Sequence, residues 1–219
     1  MSQGARGEEG TPARRLSADE RRSQLVDVAL HVFAERGYTA TTMDDVAMAA
    51  GVTKPLLYQH FDSKRALYLE LVDAVALDMV EAISRVAATA EGPRQQVEAG
   101  IAAYFHLVAS RQAAFRLLLG SDATGDPELS GALRRVEETV VELVDTLIDA
   151  GLEPEHRRLL AYGVMGMAEQ ASRYWLENPS TGPAGAKEGD RTAMEAEAAR
   201  MARRIADLAW AGLRAVHRD

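Results

Sequence analysis

The chain has no cysteine, which removes disulfides and thiolate metal sites and leaves no sign of an oxidising compartment. Aromatic residues are scarce, at 5%, while alanine, leucine and valine dominate a hydrophobic share of 47%. That balance favours helices over sheets. No segment sustains an alternation of period two, so strands are not expected. No apolar run approaches the roughly 20 residues that span a bilayer. The opening stretch MSQGARGEEGTPARR is polar and lacks the apolar segment of a secretory signal. An all-α, soluble, cytoplasmic protein with no membrane partner is the expectation.

Enzyme signatures are missing too. There is no His-Glu-x-x-His, no glycine-rich phosphate loop and no nucleophile elbow. The five histidines, at 31, 60, 106, 156 and 217, are scattered. Glu153-Pro-Glu-His156 has the spacing of a di-iron ligand pair, but it straddles a helix start and no second pair exists. No catalytic residue, metal ligand or cofactor is assigned.

Charge is unevenly placed. The net charge is −8, yet residues 1–65 hold nine Lys/Arg and nine Asp/Glu, so the whole excess falls on the remaining 154 residues. Affinity for DNA depends on where cations lie rather than on their sum. Arg14, Arg15, Arg21, Arg22, Lys54, Lys64 and Arg65 are available at the neutral end. The cluster from Arg14 to Arg22 fits a solvated face as well as it fits a minor-groove arm.

Nine helices follow from periodicity and punctuation. Residues 1–13 read as a disordered arm. Ser17 and Glu20 form a capping box for a helix carrying Leu25, Val28, Val32 and Phe33, which Gly37 ends. Short helices at 43–49 and 54–60 come next. From Ser63 a long helix presents Leu67, Leu71, Val75, Met79, Ala82, Ile83 and Val86, until Gly92-Pro93 stops it. Helices at about 93–109 and 110–119 precede the break SDATGDP. A further helix carries Leu129, Leu133, Val136, Val140, Val144, Leu147 and Ile148 to Gly151, and another runs from Pro154 to about Asn178. Residues 178–190 form a Gly/Pro-rich loop, and the last helix spans about 191–217.

Residues 39–64, TATTMDDVAMAAGVTKPLLYQHFDSK, carry the chemistry. Ala47 is small enough for two helices to cross closely. Gly51 supplies the turn conformation that a Cβ resists, and Val46, Val52 and Leu57 fill the wedge. This is a helix-turn-helix. Thr53 can cap the second helix, its amides then facing a phosphate. Pro55 is tolerated in the first turn. Lys54 and Gln59 are placed to read base edges, and Leu56 a thymine methyl. Tyr58, His60, Thr42 and Lys64 offer phosphate contacts, which position without specifying. Two bland alternatives stay open: Tyr58 as a partly buried aromatic, and His60 as a plain surface residue. Phe61 is expected in the core.

The TTMDDVAMAAGV and LLYQHFDSKRALY runs closely resemble the TetR family of bacterial regulators. Ala47, Gly51, Val52, Leu57, Tyr58, Phe61, Lys64 and Leu67 fall where that pattern expects them. The resemblance is sequence-specific over residues 25–68 and architectural over the rest. It implies a DNA-binding domain at 14–65 and a ligand-binding and dimerisation domain at 66–219. The function expected is a ligand-controlled regulator on a palindromic operator in double-stranded DNA. Repression is the default, because blocking polymerase needs no extra surface. An architectural or protein-binding module without ligand response is the alternative, and a helical-bundle enzyme a remote one.

Pairing on a palindrome calls for a homodimer. The last two helices are the family's dimer helices, so Met201, Ile205, Leu208, Gly212 and Leu213 are expected there, with Ala202 and Ala209 permitting close approach. Finishing the chain's own core is the other reading of these stripes. Tyr104, Phe105, Phe115, Leu118, Met165, Met167, Tyr174 and Trp175 are candidates for an apolar effector pocket, though such residues also build ordinary cores. Gly163 and Gly166, costly inside a helix, suggest a close approach to that face. The segment GVMGMAEQASRYWLENP and the KPLLYQHFDSK form of the second helix are similar to TetR-family regulators of lipid synthesis that respond to long-chain acyl-CoA. That likeness implies a fatty acyl-CoA or other lipid effector in an apolar tunnel, with an arginine near its mouth.

Overall fold

The computed structural model describes residues 17–120, 125–148, 151–178 and 191–216. The arm at 1–13, Arg14, Arg15, positions 179–190 of the Gly/Pro-rich loop and His217 lie outside them. Among the described residues there are nine helices and no strand. They are α1 (Ala18–Ala40), α2 (Met43–Ala49), α3 (Lys54–His60), α4 (Lys64–Ala87), α5 (Pro93–Ser110), α6 (Gln112–Leu119), α7 (Pro127–Leu147), α8 (Pro154–Glu177) and α9 (Arg191–Leu213).

Side-chain caps set four of the starts. The Ser17 hydroxyl accepts the Glu20 amide at 3.1 Å, and the Glu20 carboxylate accepts the Ser17 amide at 2.8 Å. Thr42 and Asp45 repeat this box at α2, with an aspartate in the third position. Ser63 caps α4 through the Ala66 amide, and Asp126 caps α7 through the amides of Glu128 and Leu129. Gly37 interrupts α1 without ending it. Its φ of 77° breaks the helix, and one more turn follows to Ala40.

A wedge of Val46, Ala47 and Leu57, all buried, holds α2 against α3. Gly51 turns between them at φ 64°, and the Val52 amide closes onto the Ala47 carbonyl at 3.0 Å. Phe33, Tyr38 and Tyr68 then join α1 to α4, with centroids 4.9–5.9 Å apart. Such spacing suits edge-to-face aromatic attraction. The α4 stripe of Leu67, Leu71, Val75, Met79 and Ile83 is buried, while Ala82 and Val86 are half-buried.

In the rest of the chain α5 lies between α4 and α9, α7 between α4 and α8, and α6 packs on α1. The face that α9 buries is made of Ala198, Ala202, Ala206 and Ala209. These methyls let α9 run close along α5. Ala202 and Ala209 therefore complete this chain's own core rather than easing the approach of a second copy. The reason is register: α9 turns its alanine stripe inward and leaves Leu208, 60% exposed, on the opposite side.

Hydrogen bonds from Thr42, with Arg36 at 2.7 Å, hold the Asp45 carboxyl below its ordinary 3.8. A depressed carboxyl stabilises the fold above its unfolded value, and that contribution disappears as pH falls through the lowered one. Asp45→Asn is expected to flatten the fall in melting temperature as pH drops below the ordinary carboxyl value of 3.8, read by circular dichroism.

Candidate nucleic-acid interface and effector cavity

The α3 helix presents one face outward and seats the other. Thr53, Lys54, Pro55, Tyr58 and Gln59 are exposed, Leu56 and His60 half-buried, and Leu57 and Phe61 buried. Tyr58 at 43% exposure stands at the surface, so the core reading applies to Phe61 alone. Thr53 occupies the cap position, but its hydroxyl makes no capping bond. This corrects the capping role expected of it. Pro55 sits in the first turn, where its missing N–H costs nothing.

Two of the cations at this end are already engaged. Lys54 Nζ donates to the Asp44 carboxylate at 2.8 Å, an exposed pair of the kind that water readily dissolves. Lys64 Nζ reaches the carbonyls of Tyr38 and Thr41, each at 2.8 Å, and lies 4.4 Å from the Tyr38 ring centroid. Burial lowers its pKa. Its donors therefore hold the end of α1, a structural tie that its expected phosphate role did not foresee.

Arg22 is also a structural tie. Its Nε donates to Glu70 at 2.6 Å, its two terminal nitrogens bond Glu70 and the His60 carbonyl, and the guanidinium stacks 4.5 Å from the Phe61 ring. One side chain thus joins α1, the end of α3 and α4. Thr42 keeps its hydroxyl on Asp45 at 2.6 Å.

Two cavities open between α4, α5, α6, α7 and α8. The first, about 60 Å³, is a chamber walled by Ile83, Val97, Ile101, Val140, Val144 and Val164, with Leu147, Ile148 and Leu213 also present. The second, about 300 Å³, is a vestibule with Phe115, Leu118 and Leu133 beside Ser130, Arg134, Glu137 and Glu169. Tyr104 and Met165 belong to both walls. Burial pushes the Tyr104 hydroxyl up to about 12. It bonds Ser172 at 3.0 Å, and Ser172 in turn donates to the Glu169 carbonyl. Tyr104 is therefore the donor of that pair.

Of the expected pocket residues, Tyr104, Phe115, Leu118 and Met165 come together here. Phe105 and Trp175 are packed in the core, Met167 packs against it, and Tyr174 is 62% exposed on α8; none of these four lines either cavity. Helical rotation separates them: Tyr174 and Trp175 are neighbours in sequence but lie about 100° apart around α8. Leu213, expected at a dimer interface, lines the chamber. The vestibule's polar residues on α7 were missed, because they look like an ordinary solvated face between the apolar positions.

Met201 and Ile205 are half-buried, and Leu208 and Gly212 exposed, along α9. On α8, Leu159 at 68% exposure and Tyr162 are outward, and a Cβ built at Gly163 or Gly166 would meet nothing within 4 Å. Among the described residues no neighbour explains the two glycines. Among the described residues no group of three His, Cys, Asp or Glu could hold a metal, and no helix is long and apolar enough to cross a membrane.

Comparison with known proteins decides the family. The model described as bacterial regulatory proteins, tetR family, matches residues 25–71. The HTH-type transcriptional activator FasR of Mycolicibacterium smegmatis is 36% identical over 166 residues, 75% of this chain and 76% of that protein. The chain belongs to the TetR family. It is a DNA-binding transcriptional regulator and not an enzyme. Its fold is shared with a TetR-like transcriptional regulator from Rhodococcus sp. RHA1, at a TM-score of 0.71 and 23% identity, over 92% of this chain and 100% of that one. It is shared equally with FadR from Bacillus subtilis in complex with stearoyl-CoA, at 0.72 and 17%, over 89% and 99%.

Removing the Lys64 ammonium by Lys64→Met leaves the Tyr38 and Thr41 carbonyls without their donor. A loss of about 1–2 kcal/mol in urea unfolding is expected, with DNA affinity reduced alike on all duplexes.

Proposed function

We propose that this TetR-family regulator acts in the cytoplasm as a homodimer on a palindromic operator and releases or engages it in response to an amphipathic lipid effector, a long-chain acyl-CoA being the favoured class. Residues 14–65 form the reading head and 66–219 the sensing and pairing body. Lys54, Gln59 and Leu56 read bases. Tyr58, His60 and Thr42 meet the backbone, and Lys64 acts through the seat it gives α1. The outward face of Leu159, Gly163, Gly166 and Tyr174 on α8, with Met201, Ile205, Leu208 and Gly212 on α9, pairs with its copy.

The observation that carries the effector reading is the adjacency of chamber and vestibule, which share Tyr104 and Met165 as wall. An apolar end suits a hydrocarbon chain, and Arg134 in the vestibule wall suits the phosphates of a carrier. Sizes argue for a conformational response. Pockets for small molecules are commonly about 300–1,000 Å³, and the chamber is about 60 Å³. A long chain needs more room than the chamber has here, so the effector favours a body shape different from this one.

Repression needs only occupancy of a promoter. Activation is the second reading, favoured by the likeness to FasR, a transcriptional activator by name. In-vitro transcription from a promoter bearing the selected site separates them.

The central experiment is selection of bound duplexes from a random pool, with and without palmitoyl-CoA. A palindrome preferred by about 10³-fold or more is expected, with affinity altered by the acyl-CoA; equal binding to unrelated duplexes would sink the reading. Lys54→Ala is expected to relax preference at one position of each half-site, costing about 1–3 kcal/mol there. Val144→Trp, which fills the chamber, is expected to abolish the acyl-CoA effect in gel shifts while leaving the selected palindrome unchanged.

A further inference from the structure

Arg65 and Asp126, 61 positions apart, meet at the junction of head and body. Arg65 is the second residue of α4, directly after Lys64, whose ammonium grips the end of α1. Its Nη2 donates to Asp126 Oδ2 at 2.6 Å, and its Nη1 lies 3.2 Å from the Glu128 carboxylate. The other Asp126 oxygen accepts the amides of Glu128 and Leu129 at 2.9 and 3.4 Å. One carboxylate thus both begins α7 and fastens it to the first turn of α4. The Asp126 side chain is only 22% exposed, and a bond from Arg65 holds its carboxyl below the ordinary value.

The position of this pair gives it leverage. From Asp126 onward α7 supplies Ser130, Leu133, Arg134, Val136 and Glu137 to the vestibule, then Val140, Val144 and Leu147 to the chamber. Arg22–Glu70 and the Phe33, Tyr38 and Tyr68 rings bind the head to α4 itself; the other ties to the body are the packing of α6 on α1 and of α7 on α4. Apolar packing resists separation but orients weakly, because it is non-directional. The charge-assisted hydrogen bond from Arg65 to Asp126, with Glu128 beside the second nitrogen, is directional and so fixes orientation as well as distance.

We infer that the Arg65–Asp126 clasp sets the angle of the reading head on the body, and so the distance between the two recognition helices of a dimer. Asp126 and Arg65 are positioning residues for DNA binding, and neither is assigned a DNA contact. The inference rests on the reading of the chain as a dimer on a palindrome.

The test uses the full-length protein and a pool of duplexes. Each duplex holds two copies of the half-site selected by the wild type, separated by spacers that vary one base pair at a time. The wild type is expected to enrich a single spacing. Asp126→Asn keeps a good helix cap but loses the charge. It is expected to spread enrichment over neighbouring spacings, with discrimination between adjacent spacers down about two- to fivefold and the half-site sequence unchanged. Arg65→Gln is expected to do the same, Arg65→Lys to restore most of the sharpness, and the double variant to be no worse than either single one. Should Asp126→Asn fold poorly, Arg65→Gln gives the same readout without touching the cap. Variants that retain the wild-type spacing preference overturn the clasp alone. A wild type that enriches no half-site overturns the palindrome reading and the clasp with it.

Discussion

A helix of seven residues is well below the length at which a helix persists in water, so α3 exists only through what it rests on. Leu57 and Phe61 bury its inner side, and Arg22 closes its last turn by taking the His60 carbonyl while holding Glu70 and covering Phe61. Take away that support and no surface would remain to meet a base pair. Specific recognition here depends first on an apolar seat and only afterwards on the residues that face the groove.

The same economy explains the charge pattern. A neutral head would be a weak magnet for DNA if its cations were spread at random. Arg22 and Lys54 each face a carboxylate, and Lys64 turns its donors onto backbone carbonyls, so the hydrogen-bond donors of these three cations are not free to seize phosphates indiscriminately. Attraction through the general field is modest, and discrimination has to come from fit at the exposed face of α3.

Much of this was legible beforehand. The bounds of α2 and α3 follow from Thr42, Gly51, Pro55 and Phe61, because caps, turn glycines, first-turn prolines and apolar spacing act over a few residues. What sequence could not supply was the partner of each long side chain. Arg22 meets Glu70 from 48 positions away and Lys64 meets Tyr38 from 26. Seen alone, Lys64 reads as a phosphate contact, and Arg22 as either a solvated face or a minor-groove arm. Helix rotation was the second gap. Tyr174 and Leu213 were placed on the wrong faces of α8 and α9, since an amphipathic stripe says that a face is buried without saying against what. Gly37 shows the third: a glycine can bend a helix that neighbouring contacts then carry onward.

The alanine seam between α9 and α5 has a mechanical consequence. Ala198, Ala202, Ala206 and Ala209 bear no χ angles, so the α9 side of that contact has no rotamer to change as one helix slides past the other. The leucine, valine and methionine layers of α4 and α7 interlock and resist such shear. Rearrangement of the body is therefore easiest as a glide of α9 over a smooth methyl track, which lets a subunit reshape itself while its interlocked layers stay intact.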